Sequence, residues 1–394
     1  WEVKSNITKE NPINVLHIDK KGFVWIGTYR SGLYQLDPKT GRIDHWSLNP
    51  EDPTTLSNNL ISAIVEDGLG NFWIGTFYGL NKINPGKDAT KFEKFYSQKE
   101  DPNSLSDNLI WGITPSSIDR DKFYIGTANG LTFLKISQKK IEKISIPNPD
   151  NLQFGTGTGI VIEEIINDEK ILWINSYAGL LRYNLTQNKF NRYLPDKTNP
   201  NSIASNQINK IYKDRSGVLW IATNKGLSFF TSKNNKFNST FLSMPFDFET
   251  AKLNSQNTTT LLNTSNGNLI VGTDNGLIYS IKSLKGIELN KHPQLSKENI
   301  WSLAQDKSEN IWIGTYGQGL FQLNLKNNKV VNHDILKTII ISQSRNFIKS
   351  LLVDDKNNLW IGTWGVGLAR FNLSNKELTH YHHVSNNNKS ISHD

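Results

Sequence analysis

The chain has 394 residues, of which 37% are hydrophobic and 20% are charged, with a formal net charge of +8 and no cysteine. The absence of cysteine excludes disulfides, thiolate metal sites and cysteine nucleophiles. Its densest basic stretch, 135–143, is interrupted by an acidic residue and by apolar residues, so we expect no nucleic-acid binding by this segment. A polyanionic sugar suits this charge better. No run of 18 apolar residues occurs, so we do not expect the segment itself to span a membrane.

One short motif recurs along the whole chain. Its second copy reads Trp73-Ile74-Gly75-Thr76, and copies of the motif or of close variants are spaced 42 to 51 residues apart. The eight copies begin at Trp25, Trp73, Tyr124, Trp173, Trp220, Ile270, Trp312 and Trp360. A period of this length is typical of repeat proteins, in which each unit buries its apolar face against its neighbours.

Each repeat predicts four short strands. In the first repeat these are 13–18, 23–28, 33–36 and 43–46, and in the second they are 61–66, 72–76, 80–83 and 92–96. The apolar period is two, which excludes a helical repeat. Four antiparallel strands in about 48 residues are the signature of a β-propeller blade, so we predict an all-β chain of four-stranded antiparallel blades.

Two other positions keep a constant distance from the motif. An aspartate stands six residues before the tryptophan in five copies: Asp19, Asp67, Asp214, Asp306 and Asp354. We interpret these aspartates as turn residues, because an Asp side chain bonds readily to the backbone of its own turn. The tryptophan itself predicts apolar filling between neighbouring sheets, and the glycine after it allows close packing.

The extended repeat resembles a known family. Residues 59–80 and 206–227 carry almost the whole pattern N-x-I-x-x-I-x-x-D-x-x-G-x-x-W-I-G-T-x-x-G-L. This pattern resembles the two-component regulator propeller repeat, which builds the periplasmic sensor halves of hybrid two-component systems in glycan-degrading gut bacteria. The resemblance implies seven-bladed propellers in tandem, followed by a β-sandwich, a membrane helix, and kinase and regulator modules.

The same resemblance implies a function. Such sensors bind an oligosaccharide outside the membrane and switch transcription of polysaccharide-utilisation genes through a membrane-linked histidine kinase. It therefore implies a periplasmic location, a homodimer formed through the full-length receptor, and membrane contact only through downstream segments. We expect no catalytic activity, no cofactor and no metal in this segment.

The number of repeats does not fit one seven-bladed ring. Within the array 1–394 we expect about 1–345 to form such a ring and 346–394 to be an eighth repeat that begins a second one. The alternative is that all eight repeats close together. Residues 390–394 resemble the linker 55–59, so we expect the array to have been cut from a longer one. The turn after the motif is one residue longer in the first, seventh and eighth copies, which decides neither way.

Strand order places the candidate ligand site. If strands a to d run from the inside of each blade to the outside, the b–c turns and the d–a linkers share one face. Aromatic residues in these turns can stack on the C–H faces of sugars, and Arg or Asn can bond hydroxyl or acidic groups. The turn candidates are Tyr29, Arg30, Phe77, Tyr78, Tyr177, Tyr316 and Trp364. Trp111, Trp301 and Arg345 enter the first strands of their blades and are further candidates. Packing on the loop of the neighbouring blade is the alternative for the turn aromatics, and core packing is the alternative for Trp111 and Trp301.

Other functions find less support in the sequence. A propeller-type polysaccharide or antibiotic-ring lyase would need ionisable residues that converge at the channel mouth, and none repeats there. His380 and His382 would share a strand face, but no acidic third metal ligand is near them in the sequence. A protein-interaction scaffold is compatible with the polar surface.

Overall fold

The computed structural model describes most of the eight repeats. The described residues are 12–86, 88–144, 161–176, 179–196, 198–199, 201–214, 217–231, 236–238, 257–276, 279–281, 295, 298–327, 329–333, 346–364 and 367–381. Their regular elements are all β-strands, which confirms the predicted all-β class. Within these ranges no helix is long and apolar enough to cross a membrane.

The strands group into one sheet per repeat, numbered here 1 to 8. Sheet 1 contains β1 (Ile13–Ile18), β2 (Val24–Thr28), β3 (Leu33–Leu36) and β4 (Ile43–Trp46). Sheet 2 contains β5 (Ile61–Glu66), β6 (Phe72–Thr76), β7 (Gly79–Asn84) and β8 (Asp88–Phe95). Sheet 3 contains β9 (Ile110–Pro115), β10 (Lys122–Thr127), β11 (Gly130–Lys135) and β12 (Lys140–Ile144). Sheet 4 contains β13 (Val161–Ile166), β14 (Glu169–Ser176), β15 (Gly179–Asn184) and β16 (Lys189–Tyr193).

The second half of the chain follows the same plan. Sheet 5 contains β17 (Ile208–Lys213), β18 (Leu219–Thr223), β19 (Gly226–Thr231) and β20 (Lys236–Asn238). Sheet 6 contains β21 (Thr258–Asn263), β22 (Leu269–Thr273) and β23 (Tyr279–Ile281). Sheet 7 contains β24 (Ile300–Gln305), β25 (Asn310–Gly317), β26 (Leu320–Asn324) and β27 (Lys329–His333). Sheet 8 contains β28 (Asn346–Val353), β29 (Asn358–Trp364), β30 (Leu368–Asn372) and β31 (Leu378–Tyr381).

Within each sheet the strands pair antiparallel in chain order, as in β1-β2-β3-β4, so the predicted blade is confirmed. The first strands of neighbouring sheets contact one another, as β1 does β5 and β24 does β28, which places them around the centre. These inner strands are followed outward by the second, third and fourth strands. The four predicted strands of the second repeat are all present, although the last one begins at residue 88 instead of 92.

The motif glycine allows neighbouring sheets to approach closely. A Cβ atom built on Gly75 would lie 2.8 Å from Ile110 Cγ2, and one built on Gly314 would lie 2.5 Å from Ile348 Cγ2. Each isoleucine belongs to the inner strand of the following sheet, so it fills the space that the missing side chain leaves. At Gly75 and Gly314 a larger side chain would clash with this isoleucine, whereas sheets 4 and 5 carry the buried residues Asn175 and Ala222 at the equivalent position.

The motif tryptophan is held by the aspartate six residues before it. Asp67 Oδ2 accepts a hydrogen bond of 3.0 Å from Trp73 Nε1, while Asp67 Oδ1 accepts from the backbone N–H groups of Leu69 and Asn71. The equivalent indole bonds of 2.8 to 3.0 Å join Trp25 to Asp19, Trp220 to Asp214, Trp312 to Asp306 and Trp360 to Asp354. The aspartates are turn residues, as predicted, and each also satisfies an indole N–H.

Two repeats achieve the same result with other residues. In sheet 4, Trp173 Nε1 donates to Glu164 Oε2 at 3.1 Å. In sheet 3 a tyrosine replaces the tryptophan, and Tyr124 Oη donates to Glu163 Oε1 of the next sheet at 2.5 Å. The buried polar atom of the motif ring is therefore satisfied in both, as expected for a buried donor.

The ring closes between sheets 8 and 1. Trp360 and Leu368 pack in one buried cluster with Ile13 and Ile26, and a Cβ atom built on Gly362 would lie 3.3 Å from Ile13 Cβ. This is the same glycine–isoleucine fit that joins sheets 7 and 8. Eight such apolar clusters lie between successive sheets around the molecule.

The expected seven-bladed ring over about 1–345, with 346–394 separate, is therefore wrong for this structure. The eighth repeat supplies Ile348 to sheet 7 and Gly362 to sheet 1, so both of its faces are occupied. The contacts agree with the alternative in which all eight repeats close together.

We predict that Trp73→Ala lowers the free energy of unfolding by about 3–5 kcal/mol, because the ring is fully buried and its removal leaves a cavity. Chemical denaturation measures this change. Leu69→Ala is the control, since Leu69 is 74% exposed in the adjacent turn and its loss should change little. Equal stability of the two variants would refute the structural role of the tryptophan.

Ring closure can be tested by a disulfide, because the chain has no other cysteine. Ile13→Cys with Gly362→Cys should cross-link on oxidation, since the two Cβ positions are 3.3 Å apart and a small shift brings them to the roughly 3.5–4.5 Å of a disulfide. Ser350→Ala is included because the Ser350 hydroxyl also faces Gly362. Peptide mass spectrometry detects the bridge.

The matched control places the second cysteine one sheet earlier, as Ile13→Cys with Gly314→Cys and Ser302→Ala. A seven-bladed ring would bring this second pair together instead of the first. Cross-linking of the control pair alone would overturn the eight-sheet closure.

Candidate functional site

The motif threonine fixes the b–c turns at one end of the ring. Thr76 Oγ1 donates to the Gly79 carbonyl at 2.8 Å, and Thr315 and Thr363 donate in the same way to Gly319 and Gly367. Gly79 has a φ of 105°, a left-handed conformation that glycine adopts without strain. The residues between threonine and glycine therefore project from the sheet in a fixed position.

The d–a linkers meet these turns, as predicted. Tyr316 N donates to the Asn299 carbonyl at 2.8 Å, just before the inner strand of the same sheet. Gly79 N donates to the Asn108 carbonyl of the following linker at 2.7 Å. The b–c turns, the linkers and the beginnings of the inner strands thus share one end of the ring, called here the b–c face.

Three of the candidate residues form a first aromatic cluster on this face. Tyr29 meets Phe77 edge to face with ring centroids 6.5 Å apart, and Phe77 meets Trp111 at 5.2 Å. Tyr29 is 43% exposed, and the buried Trp111 Nε1 has no hydrogen-bond partner among the described residues. The cluster runs across sheets 1, 2 and 3.

A second aromatic cluster joins sheets 7 and 8. Tyr316 stacks on Phe347 with centroids 4.0 Å apart, and Trp301 lies 4.6 Å from Tyr316 and 6.1 Å from Trp364. Tyr316 is 39% exposed. The four rings come from two inner strands and two b–c turns, so this cluster gathers more aromatic surface at one point than the first.

Backbone pairing builds the second cluster. The end of β25 pairs with the start of β28, with Tyr316 opposite Phe347 and Gly317 opposite Asn346. Sheets 7 and 8 therefore form one continuous sheet at this point. The paired residues Tyr316 and Gly317 lie in the one-residue-longer turn of the seventh repeat.

Lys349 is the charged member of this region. Its Nζ lies 4.6 Å from the centroid of the Trp301 ring, a cation–π distance. Lys349 is exposed as a residue, and burial of its amine among the neighbouring groups lowers the pKa of Lys349.

The structure brings together most of the candidates that it describes. Tyr78 departs from the group: it is 54% exposed and turns towards Tyr96, 5.7 Å away, beyond the outer strand. Arg30 is exposed in the turn of Tyr29. Tyr177 and Arg345 lie outside the described residues.

Sequence reasoning missed Phe347 and Lys349. A usable signal existed for Lys349, because Trp301 stands eleven residues before Trp312 and Lys349 stands eleven residues before Trp360. The two residues are thus equivalent positions in successive repeats. Phe347 had no such signal, since its contact with Tyr316 depends on the pairing between sheets 7 and 8.

Two hollows of about 410 and 430 Å³ lie elsewhere, between sheets 1 and 2, and share Phe23, Gln35 and Pro85 in their lining. Their polar groups serve the fold: Arg42 pairs with Asp44 at 2.9 Å, and His45 bonds the Ser31 carbonyl and stacks on Tyr34. We regard the exposed ring clusters as the better candidates for ligand binding, because they present unused aromatic surface.

Five segments of the chain match the two-component regulator propeller family: 9–30, 55–78, 202–225, 294–317 and 342–365. Histidine kinase P4 of Formosa agariphila is 28% identical over 209 residues, which cover 52% of this chain and 14% of that protein. The chain therefore spans a small part of that relative.

Solved structures share the fold. The extracellular domain assigned to a hybrid two component system of B. thetaiotaomicron superposes with a TM-score of 0.53 and 19% identity, over 92% of this chain and 52% of that domain. Inactive virginiamycin B lyase of Staphylococcus aureus, solved with quinupristin, gives a TM-score of 0.51 and 16% identity, over 82% of this chain and 96% of the lyase. At these identities the likeness concerns the fold alone.

We predict that Lys349→Met slightly raises the melting temperature near neutral pH, because burial of the amine disfavours the charged form of Lys349 in the folded chain. The folded-state pKa lies below the unfolded value near 10.5, so the unfolded chain holds the proton more tightly. The gain should therefore shrink as the pH rises through the folded-state pKa towards 10.5. Thermal melts of both proteins across this range measure it.

Lys356→Met is the control, since Lys356 is exposed in the β28–β29 turn at the other end of the same sheet. An identical, pH-independent effect in both variants would contradict the account of the Lys349 environment.

Proposed function

We propose that this chain, which is built of two-component regulator propeller repeats, is the exported sensor region of a two-component signalling protein and binds an oligosaccharide on its b–c face. Binding of the oligosaccharide would be transmitted through the receptor to a membrane-linked histidine kinase that controls polysaccharide-utilisation genes. The segment would be periplasmic, would dimerise through the full-length receptor and would have no catalytic activity of its own.

The family match supports the signalling part of this proposal. The matched segments are spread from residue 9 to residue 365, and the curated relative is a histidine kinase. The extracellular domain from B. thetaiotaomicron has the same fold over 92% of this chain. An exported receptor region accounts for both similarities.

The second aromatic cluster is the main support for the proposed oligosaccharide binding. Aromatic rings that remain exposed after folding offer apolar faces next to polar linkers, which is the composition of a sugar-binding surface. Tyr316 supplies both an exposed ring and a hydroxyl, and Trp301 supplies a partly exposed ring beside it. An extended glycan could then cross from sheet 7 to sheet 8.

Signalling would follow from differential affinity. A ligand shifts a conformational equilibrium only when it binds one state more tightly than the other. The second cluster joins two sheets through the β25–β28 pairing, so a bound glycan would stabilise one relation between them. The changed relation between sheets 7 and 8 would then alter the contacts with neighbouring receptor domains or with the dimer partner.

A polysaccharide lyase is the second candidate function. Its fold-level support is the likeness to virginiamycin B lyase, and its chemical support is that Tyr316 and Lys349 belong to one cluster. A tyrosine could take up the proton that such an elimination removes. Accumulation of unsaturated sugar products during incubation with acidic polysaccharides would favour the lyase over the sensor.

We predict that Tyr316→Ala and Trp301→Ala each weaken oligosaccharide binding about tenfold or more, because each removes a stacking surface worth roughly 1–3 kcal/mol. Isothermal titration calorimetry of the 394-residue chain against a library of plant and algal oligosaccharides measures the affinities.

Tyr78→Ala is the matched control, because Tyr78 lies on the same face but turns away from both clusters. We expect its affinity to equal that of the unaltered chain. Failure of the unaltered chain to bind any library member would overturn the proposed ligand class, and equal losses in all three variants would remove the second cluster as the site.

A further inference from the structure

The inner strands carry a β-bulge near their start in seven sheets. One residue is skipped in the pairing with the second strand, as between Ile300 and Ser302 in sheet 7 and between Ile348 and Ser350 in sheet 8. The bulged residues are Asn14, Ser62, Trp111, Asn209, Thr259, Trp301 and Lys349. Lys349 is thus the one charged side chain among these seven inner-strand bulges.

The other polar bulge residues mostly serve the ring. Asn14 Nδ2 donates to the Ile61 carbonyl at 2.9 Å, and Asn209 Nδ2 donates to the Thr258 carbonyl at 2.7 Å. Each bond reaches the inner strand of the following sheet. The Lys349 ammonium makes no hydrogen bond or ion pair with another described residue, and among these residues its charge contacts the Trp301 ring.

The ammonium groups of other lysines in this chain are neutralised by carboxylates or bonded to backbone carbonyls. Lys139 pairs with Glu93 at 2.9 Å and Lys213 with Glu164 at 3.3 Å. Lys210, on the inner strand of sheet 5, is more deeply placed, but its Nζ donates to the Leu261 carbonyl at 3.2 Å. Lys349 instead sits over the Trp301 ring, with burial lowering the pKa of its amine and no carboxylate acting on it.

Resting on the proposed function, we propose that Lys349 and the second aromatic cluster form a subsite for a negatively charged sugar residue. The anionic group would be a uronate carboxylate or a sulfate ester, both of which accept charge-assisted hydrogen bonds from an ammonium. The sugar ring would stack on Trp301 or Tyr316 while its anionic group binds Lys349 Nζ. This arrangement specifies an acidic glycan, where the aromatic rings alone would accept neutral sugars too.

Two further features fit an anion at this point. Trp364 Nε1 is buried and has no acceptor among the described residues, so a second N–H donor lies in the same cluster. An anion beside Lys349 would also restore the pKa of the amine by stabilising its charged form. Binding should therefore weaken with added salt and as the pH rises through the pKa of the free lysine.

The test is a calorimetric titration of the whole chain with three matched classes of oligosaccharide: uronate-containing, sulfated, and neutral fragments of the same backbones. The unaltered chain should prefer an anionic class over its neutral equivalent by about ten- to a hundredfold, the range for a hydrogen bond to a charged group. The first two classes distinguish a carboxylate from a sulfate.

Three variants locate the effect. Lys349→Met should abolish the preference for the anionic class, Lys349→Arg should keep most of it, and Lys356→Met should behave as the unaltered chain. The last variant makes the same charge change at the opposite end of sheet 8. Circular dichroism confirms that each variant is folded.

The outcomes separate this inference from the proposed function. Tight binding of neutral fragments with no gain from an anionic group, or a preference that survives Lys349→Met, would overturn the acidic subsite and leave the sensor proposal standing. Binding of none of the three classes would overturn both.

Discussion

A carboxylate that accepts a hydrogen bond from the buried ring of the motif is the interaction shared by seven of the eight repeats, and in five of them it is the aspartate six residues before the tryptophan. One carboxylate closes the turn between the first two strands and also satisfies the buried indole, as Asp67 does for Trp73. The ring can then be buried between sheets without an unsatisfied donor, which would cost about 1–3 kcal/mol. The glycine and threonine of the motif have separate roles. The glycine sets the spacing between neighbouring sheets, and the threonine fixes the b–c turn at the opposite end of the strand.

The proposed binding site lies at positions outside the repeat motif. The b–c turns and the bulges of the inner strands take no part in the hydrogen bond to the motif ring, and their side chains vary from repeat to repeat. Sheets 7 and 8 combine Trp301, Tyr316 and Lys349 at these positions, and the β25–β28 pairing holds them together. A repeat protein can therefore gain a specific subsite by changing a few residues at one junction.

The sequence sufficed to predict the four-stranded blade, the strand positions and the shared face of the candidate aromatics, because all of these depend on local pattern and spacing. It did not reveal that the aspartates bond the indoles, since turn chemistry alone explained them. It left seven-sheet and eight-sheet closure open, with family precedent favouring seven, because the number of sheets in a ring depends on the summed angles between neighbours and not on any single repeat. Phe347 escaped notice because its partner Tyr316 lies in another sheet, 31 residues earlier.

The most direct measurement of the central claim is a crystal structure of this chain with the oligosaccharide that binds it. The account predicts a sugar ring stacked on Trp301 or Tyr316, with an anionic substituent within hydrogen-bond distance of Lys349 Nζ. A glycan seated instead in the hollow lined by Phe23 and Pro85, with the second aromatic cluster unchanged, would contradict it.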